Sequence, residues 1–105
     1  DARRDVSPAI ADEVKERYLS AFPSIDSKQF NLSMRVLGAQ RHAKVIGIFT
    51  RLCVRDKKRI YLGHIPHVWR LLEAACDHPD LELIRQWINL YIPIESRNLP
   101  IGFGI

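Results

Sequence analysis

Apolar residues recur at every third or fourth position along most of this chain, which is the spacing of one face of an α-helix. A first helix is predicted to begin after Ser7 and Pro8, because serine caps helix N-termini and proline fits the first helical turn. Pro23 is expected to end it. The apolar face of this helix repeats at intervals of four residues: Ile10, Val14, Tyr18 and Phe22.

A much longer second helix is predicted over about residues 27–54. Asp26, followed three residues later by Gln29, resembles a capping box, and no proline interrupts the pattern before Pro66. At about 100° per residue, one narrow stripe of this helix is polar. The stripe contains Ser33, Gln40, Lys44, Arg51 and Arg55. Apolar residues cover most of the remaining surface, and a helix of that kind is normally buried on several sides.

Two shorter helices complete the pattern. The third spans about residues 65–76 after a charged turn at 55–59, and the fourth carries apolar residues at helical spacing up to about Tyr91. Asp80, in the His-Pro-Asp sequence between them, is the expected N-cap of the fourth helix. Because aromatic residues at helical spacing usually belong to a core, both Trp69 and Trp87 are predicted to be buried.

The predicted fold class is therefore all-α: a helical bundle around one long central helix, in a single domain of residues 1–105 with an irregular tail at 93–105. Three short helices, however, are too few to cover a long helix that is apolar on almost every side. The sequence also begins at Asp1 rather than at methionine. These observations favour a subdomain of a longer protein, whose missing part lies against the long helix.

Composition excludes several classes of protein. A chain of 105 residues with 47% hydrophobic and 27% charged residues is typical of a folded domain rather than a disordered one. No apolar run approaches the ~18 residues needed to cross a membrane, and no signal-peptide core is present. We therefore expect a cytoplasmic protein without a membrane partner. The two cysteines, Cys53 and Cys76, are expected to be buried reduced thiols.

The candidate catalytic and metal-binding motifs are weak. The five glycines form no phosphate-binding loop. His64 and His67 are three residues apart, but Pro66 lies between them and no cysteine or carboxylate completes a ligand set nearby, so no metal site is predicted. A cysteine nucleophile is also disfavoured, because both thiols lie in apolar helical patterns.

The net charge of +4 offers two candidate surfaces. The basic turn at 55–59 has the composition of a nucleic-acid contact, but equally that of a solvated connection between helices. Of these two interpretations of the turn, nucleic-acid binding is the less favoured. The other surface is the part of the polar stripe formed by Gln40, Lys44 and Arg51, together with the neighbouring Arg41. Cations on a mostly buried helix either form ion pairs or face a polar cleft that accepts an anion, and the sequence leaves both alternatives open.

The run from Gly38 to Leu52 resembles a segment near the C-terminal end of bacterial phosphotransferases of the aminoglycoside phosphotransferase and choline kinase-like family. Within that family it is most similar to the sugar kinases for N-acetylmuramate and N-acetylglucosamine, which act in cell-wall recycling. The stretches 55–69 and 1–8 resemble these proteins too, and the similarity extends over about residues 1–92. Lys57 stands where relatives often have glycine, so a longer or differently shaped turn is expected there.

This resemblance implies a protein-kinase-like fold, of which the chain would be the helical end of the C-lobe. The family requires a catalytic His-x-Asp-x-x-x-x-Asn pattern, and only His78-Pro79-Asp80 begins like it, with Arg85 where asparagine is needed. The chain is therefore expected to bind no cofactor and to be inactive alone. ATP and Mg²⁺ would bind to an N-terminal catalytic part of the same protein.

The same resemblance suggests which residues would face a sugar or aminoglycoside-like acceptor. They are Gln40, Arg41 and Lys44, with Asp1 and Arg4 as weaker candidates near the junction to the catalytic part. Their roles would be to hydrogen-bond the acceptor or to orient the catalytic segment through ion pairs. The alternative function is a free-standing helical adaptor, whose basic turn binds an acidic partner or a nucleic acid.

Overall fold

The computed structural model of the protein describes residues 3–98, and these residues form four α-helices and no β-strand. The helices are α1 (Pro8–Ala21), α2 (Ser27–Asp56), α3 (Ile65–Ala75) and α4 (Glu82–Tyr91). Short 3₁₀ turns occupy Arg59–His64, Pro79–Leu81 and Ile94–Ser96. The predicted all-α class is confirmed. Within this part of the chain, no helix has the length and apolar character required of a membrane span.

The predicted caps begin the first two helices. The Ser7 hydroxyl accepts a hydrogen bond from the backbone N–H of Ile10 at 3.3 Å. The Asp26 carboxylate accepts from the N–H groups of Lys28 and Gln29 at 2.9 and 3.3 Å. These bonds satisfy donors that a helix N-terminus otherwise leaves unpaired, and they fix the starts of α1 and α2.

Lys57 ends α2 in the left-handed backbone conformation, with φ of 58°. Its N–H donates to the carbonyl of Cys53, and the next N–H, of Lys58, donates to the carbonyl of Leu52. The bond from Lys57 to Cys53, four residues back, is that of the αL helix-ending motif, which usually has glycine at the left-handed position. Lys57 thus adopts the backbone conformation that glycine usually supplies, and the expected difference in turn shape from relatives stays a prediction.

The core lies between α2 and α3 and is closed by the 3₁₀ turn that joins them. Its buried side chains are Ala39, Val45, Phe49, Cys53, Leu62, Ile65, Val68, Trp69, Leu72 and Cys76. Both cysteines are buried and free, as predicted. Arg35 fastens α2 to the end of α3, because its guanidinium donates to the carbonyls of Ala74 and Asp77 at 2.7 and 3.0 Å.

The fourth helix differs from the prediction in how much of its apolar face is buried. Trp87 is 57% exposed, so its assignment to the core is wrong, whereas Trp69 is buried as predicted. Ile88 of α4 and Ile92, which follows the helix, pack against the core. The apolar face of α4 is wider than this contact. The outer part of the face, where Trp87 packs beside Tyr91, therefore remains in solvent.

Asp80 does not cap α4. A 3₁₀ turn lies between the His-Pro-Asp sequence and the helix, and there the His78 Nδ1 atom accepts the N–H of Asp80 at 3.0 Å. The helix begins at Glu82 without a side-chain cap. His78 thus caps the 3₁₀ turn, whereas the sequence pattern predicted that Asp80 would cap α4.

The first helix lies at the edge of the fold. No residue of α1 is buried, and its aromatic contact with α2 is the stacking of Tyr18 on Phe30, with ring centroids 5.5 Å apart. The Cα radius of gyration is 15.6 Å, against about 13 Å for a compact domain of 100 residues. The fold is therefore elongated, and the predicted apolar face of α1 is exposed.

Candidate functional site

The candidate acceptor residues lie side by side on the exposed surface of α2. Gln40, Arg41 and Lys44 are all exposed in the middle of the helix. Within residues 3–98, their side chains form no hydrogen bond or ion pair with another residue. Gln40, Arg41 and Lys44 therefore form no structural ion pair in this part of the chain, whereas Arg55, at the end of the polar stripe, pairs with Asp56.

The two weaker candidates, Asp1 and Arg4, are not brought to this stripe by the structure. Asp1 lies outside the described residues. Arg4 is exposed and precedes α1, which contacts α2 at Phe30. Ten residues of helix, or about 15 Å, separate Phe30 from Gln40 along α2. The structure thus brings together three of the five candidate residues.

An apolar groove between α2 and α4 begins beside Gln40. We define this α2–α4 groove by two adjoining hollows of about 400 and 260 Å³, which share Ala43, Leu72, Ile84 and Ile88. The larger hollow extends to Gly47 and Trp87, and the smaller one to Gln40. The polar stripe therefore borders the apolar α2–α4 groove. The sequence of α2 alone could not predict this groove, because α4 forms its second wall.

Apart from the α2–α4 groove, a hollow of about 480 Å³ lies between α3, α4 and the segment that follows α4. Its polar side chains are Arg70, Glu73, Asp77, Arg85, Asn89 and Arg97. Most of these charges are compensated within the protein, because Arg97 pairs with Glu73 and Arg85 with Glu82, both at 2.8 Å. This charge balance is that of a structural cluster rather than of an anion-binding site.

Arg97, in the segment that follows α4, organises that cluster. It is only 5% exposed, and it donates hydrogen bonds to the Ile92 carbonyl, the Glu73 carboxylate and the Asn89 side-chain oxygen at 2.7–2.8 Å. Its guanidinium also lies 5.5 Å from the centre of the Trp69 ring. A 3₁₀ turn at Ile94–Ser96 carries it into place. The segment after α4 is therefore anchored to α3 through Glu73.

Sequence reasoning had no signal for this anchor. Arginine is rarely buried, and Glu73 is 24 positions away along the chain. The two charges come together only because the segment after α4 returns to α3.

Two histidines face the interface between α2 and α3. The Nδ1 atom of His42 and the Nε2 atom of His67 are buried without a hydrogen-bond partner within the described chain. Burial lowers the pKa of His42, and electrostatic repulsion, including that from the neighbouring Arg41, lowers it further. His42 is therefore expected to be neutral at pH 7 in the folded protein.

This lowered pKa predicts that stability falls as the solution becomes acidic. The unfolded chain takes up a proton on His42 near its ordinary pKa of 6.5, whereas the folded protein does so only at a lower pH. The free energy of unfolding should therefore be highest above pH 6.5 and should decrease as the pH falls from 6.5 through the folded-state pKa. Urea unfolding at a series of pH values measures this, and His42→Gln should flatten the dependence. A profile of the same slope in His42→Gln and in the parent would contradict the assignment, with His64→Gln as the control.

The structure also places the histidines, cysteines and carboxylates that could serve as metal ligands. Within residues 3–98, no three His, Cys, Asp or Glu side chains gather closely enough to hold a metal ion. In the His-Pro-Asp sequence, which begins like the kinase catalytic pattern, the His78 Nδ1 atom accepts the backbone N–H of Asp80 in the turn before α4.

The basic turn at 55–59 is partly neutralised. Arg55 forms a bidentate pair with Asp56, with distances of 2.9 and 3.1 Å. The hydrogen bond from Arg55 lowers the pKa of the Asp56 carboxyl, which also lies near the positive charges of Lys58 and Arg51. This acidic residue reduces the positive potential that a nucleic-acid contact at the turn would need.

Comparison with known proteins adds the following similarities. The chain is 38% identical over 97 residues to the N-acetylmuramate/N-acetylglucosamine kinase of Caulobacter vibrioides, a match that covers 92% of this chain and 27% of that protein. Proteins of the same name in Pseudomonas aeruginosa and Pseudomonas putida match over shorter stretches, with 58% identity over 40 residues and 54% over 53 residues. These two matches cover 38% and 50% of this chain, and 12% and 16% of the relatives.

The chain thus spans about a quarter, or less, of the length of these curated relatives. No family model and no solved structure matches it. The expected likeness to the C-lobe of protein kinases therefore stays a prediction.

Proposed function

We propose that this chain is a helical part of an ATP-dependent amino-sugar kinase and lies on the acceptor side of its active site. The observation that carries the proposal is the similarity over 92% of the chain to a protein named N-acetylmuramate/N-acetylglucosamine kinase, of which the match covers only 27%. Membership of the aminoglycoside phosphotransferase and choline kinase-like family is part of the same proposal.

The exposed apolar surface supports the view that further polypeptide packs against this chain. Large apolar side chains are exposed on α1, on both ends of α2 and along α4; examples are Val14, Leu37, Leu83 and Leu90. Isolated exposed apolar residues are common on proteins, but contiguous stretches mark surfaces that bind other protein. A part of a larger enzyme would have such surfaces.

Under this proposal, phosphoryl transfer itself belongs to polypeptide outside this chain. ATP and Mg²⁺ supply and activate the transferred phosphoryl group in such kinases, and they are held by parts that no residue pattern of this chain provides. The contribution of the chain is to bind and orient the acceptor. We therefore expect the isolated chain to have no kinase activity.

Gln40, Arg41 and Lys44 are the proposed acceptor-binding residues. An amide donates to and accepts from sugar hydroxyls, whereas the two cations bind a carboxylate. N-acetylmuramate is a carboxylate and N-acetylglucosamine is not. The pattern therefore favours Gln40 as a contact for either sugar, and Arg41 and Lys44 as contacts for the acidic one, with Arg4 and Asp1 nearer to the junction with the catalytic part.

A chimeric enzyme tests this function. The 97-residue segment of the Caulobacter vibrioides kinase that matches this chain is replaced by the corresponding residues of the chain, and ADP formation is measured with each sugar. We expect the chimera to phosphorylate both. We expect Arg41→Gln to lower kcat/KM for N-acetylmuramate about tenfold, since one charge-assisted hydrogen bond is lost, and to change the value for N-acetylglucosamine much less.

Arg70→Gln is the matched control, because Arg70 is an exposed cation on another helix. A chimera that folds cooperatively but phosphorylates neither sugar would disprove the proposed function. Turnover by the isolated chain would disprove the proposed division of labour. Equal losses for both sugars in Arg41→Gln would remove the assignment of the carboxylate contact.

A further inference from the structure

The α2–α4 groove is an apolar surface that the described residues leave open. Its α4 wall is formed by Ile84 and Trp87, which are 48% and 57% exposed. At Gly47, on the opposite wall, a methyl group added to the backbone would meet no atom within 4 Å. An exposed apolar depression of this kind is unfavourable in water unless another molecule or segment covers it.

The shape of the groove fits an α-helix. Ala39, Ala43 and Gly47 follow one another at intervals of four along α2, so small side chains line the groove for about 12 Å. Helices pack with their axes 8–10 Å apart, and small residues at the contact permit the shorter distances. The two adjoining hollows extend in the same direction, as a helix lying along α2 would require.

The charges beside the groove are one-sided. Lys44 and Arg51 follow the groove residues Gln40 and Gly47 by about one helical turn on α2, and both are exposed cations that form no ion pair within residues 3–98. On the α4 side, the surface continues as apolar residues, with Leu83 81% exposed. An occupant that complements both sides is an amphipathic helix with acidic residues along the border that faces α2.

We infer that the α2–α4 groove docks an amphipathic helix with an acidic border, contributed by the catalytic part of the same kinase. This inference rests on the proposed function. The length of the relatives supports this source, since the match to the Caulobacter vibrioides kinase leaves nearly three quarters of that protein outside the matched segment. A helix in the groove would also lie next to Gln40 and Lys44, so the acceptor cleft would form along the border between the two parts.

The test compares two glycine substitutions in the chimeric kinase. Gly47→Trp fills the groove, while Gly63→Trp is the matched control, because Gly63 is exposed outside the groove and also has no atom within 4 Å of an added methyl group. Amide hydrogen exchange along α2 and α4 is measured in the chimera and in the isolated chain. Docking should slow exchange in the chimera at least about tenfold, and Gly47→Trp, unlike Gly63→Trp, should abolish that protection.

A charge substitution gives a second readout. Arg51→Glu should weaken the protection less than Gly47→Trp, and its effect should diminish in high salt because surface ion pairs are screened. Circular dichroism of the isolated chain shows whether each variant still folds. Equal behaviour of the two glycine variants would overturn the inference, as would exchange in the chimera at the rates of the isolated chain.

Two other occupants give distinct results, and either would overturn the inference. If the groove binds a second copy, the isolated chain is a dimer that Gly47→Trp makes monomeric. If the groove binds the end of this chain, deletion of residues 99–105 speeds exchange in the isolated chain. Activity of the chimera decides the proposed function separately, because an active chimera without protection of α2 and α4 refutes only the docking.

Discussion

Replacement of Leu62 by alanine is expected to lower the free energy of unfolding by about 2–5 kcal/mol. Leu62 lies in the 3₁₀ turn between α2 and α3 and is 1% exposed, so the substitution leaves a cavity where the turn closes the core. Small domains are stable by only about 5–15 kcal/mol in total. The loss is therefore a large fraction of the stability, and urea unfolding followed by circular dichroism measures it.

Leu83→Ala is the matched control for this measurement. It removes the same atoms from a side chain that is 81% exposed, and it should change the free energy of unfolding by less than about 0.5 kcal/mol. Similar losses in the two variants would show that the core does not lie between α2 and α3.

Arg97→Ala should have the second-largest effect, about 2–4 kcal/mol. The substitution removes three hydrogen bonds and the contact with the Trp69 ring, and it leaves Glu73 without its partner. Breaking a fully buried ion pair costs about 3–5 kcal/mol, and the expected value is lower because the Glu73 side chain is 45% exposed. Thermal and urea unfolding give the size of the loss.

The shape of the guanidinium makes this prediction specific. Lysine keeps the charge but lacks the planar fork that reaches Glu73 and Asn89 at once, so Arg97→Lys should recover less than half of the loss. Arg70→Ala removes an exposed arginine of the same cluster and should be nearly neutral. Full recovery by lysine would show that charge alone, and not hydrogen-bond geometry, holds the segment.

The features that depend on local sequence were predictable. The caps at Ser7 and Asp26 and the bounds of α1 and α3 were recovered to within about one residue, because side-chain caps and proline act on the neighbouring turn. The apolar pattern of α2 also gave the right conclusion that the chain leaves part of this helix uncovered, which the exposed Leu37 illustrates.

The features that depend on tertiary contacts were not predictable. Trp87 has the spacing of a core residue but lies outside the contact that α4 makes with the core. Arg97 lies in the stretch that the sequence predicted to be an irregular tail, yet it is the most buried charged side chain of the described part of the chain. Of the candidate site, the clustering of Gln40, Arg41 and Lys44 followed from helical periodicity, whereas the groove beside them depends on where α4 packs.

The weak attachment of α1 has a consequence for how cooperatively the chain folds. A 14-residue helix is marginal in water unless its apolar face is covered, and α1 buries none of its residues against the rest of the chain. Opening α1 exposes little new apolar surface, so it should occur as a local event while α2 and α3 stay folded. The helical hairpin of α2 and α3 is thus the cooperative unit of the isolated chain, and α1 would acquire the same stability only if further polypeptide packed against its exposed face.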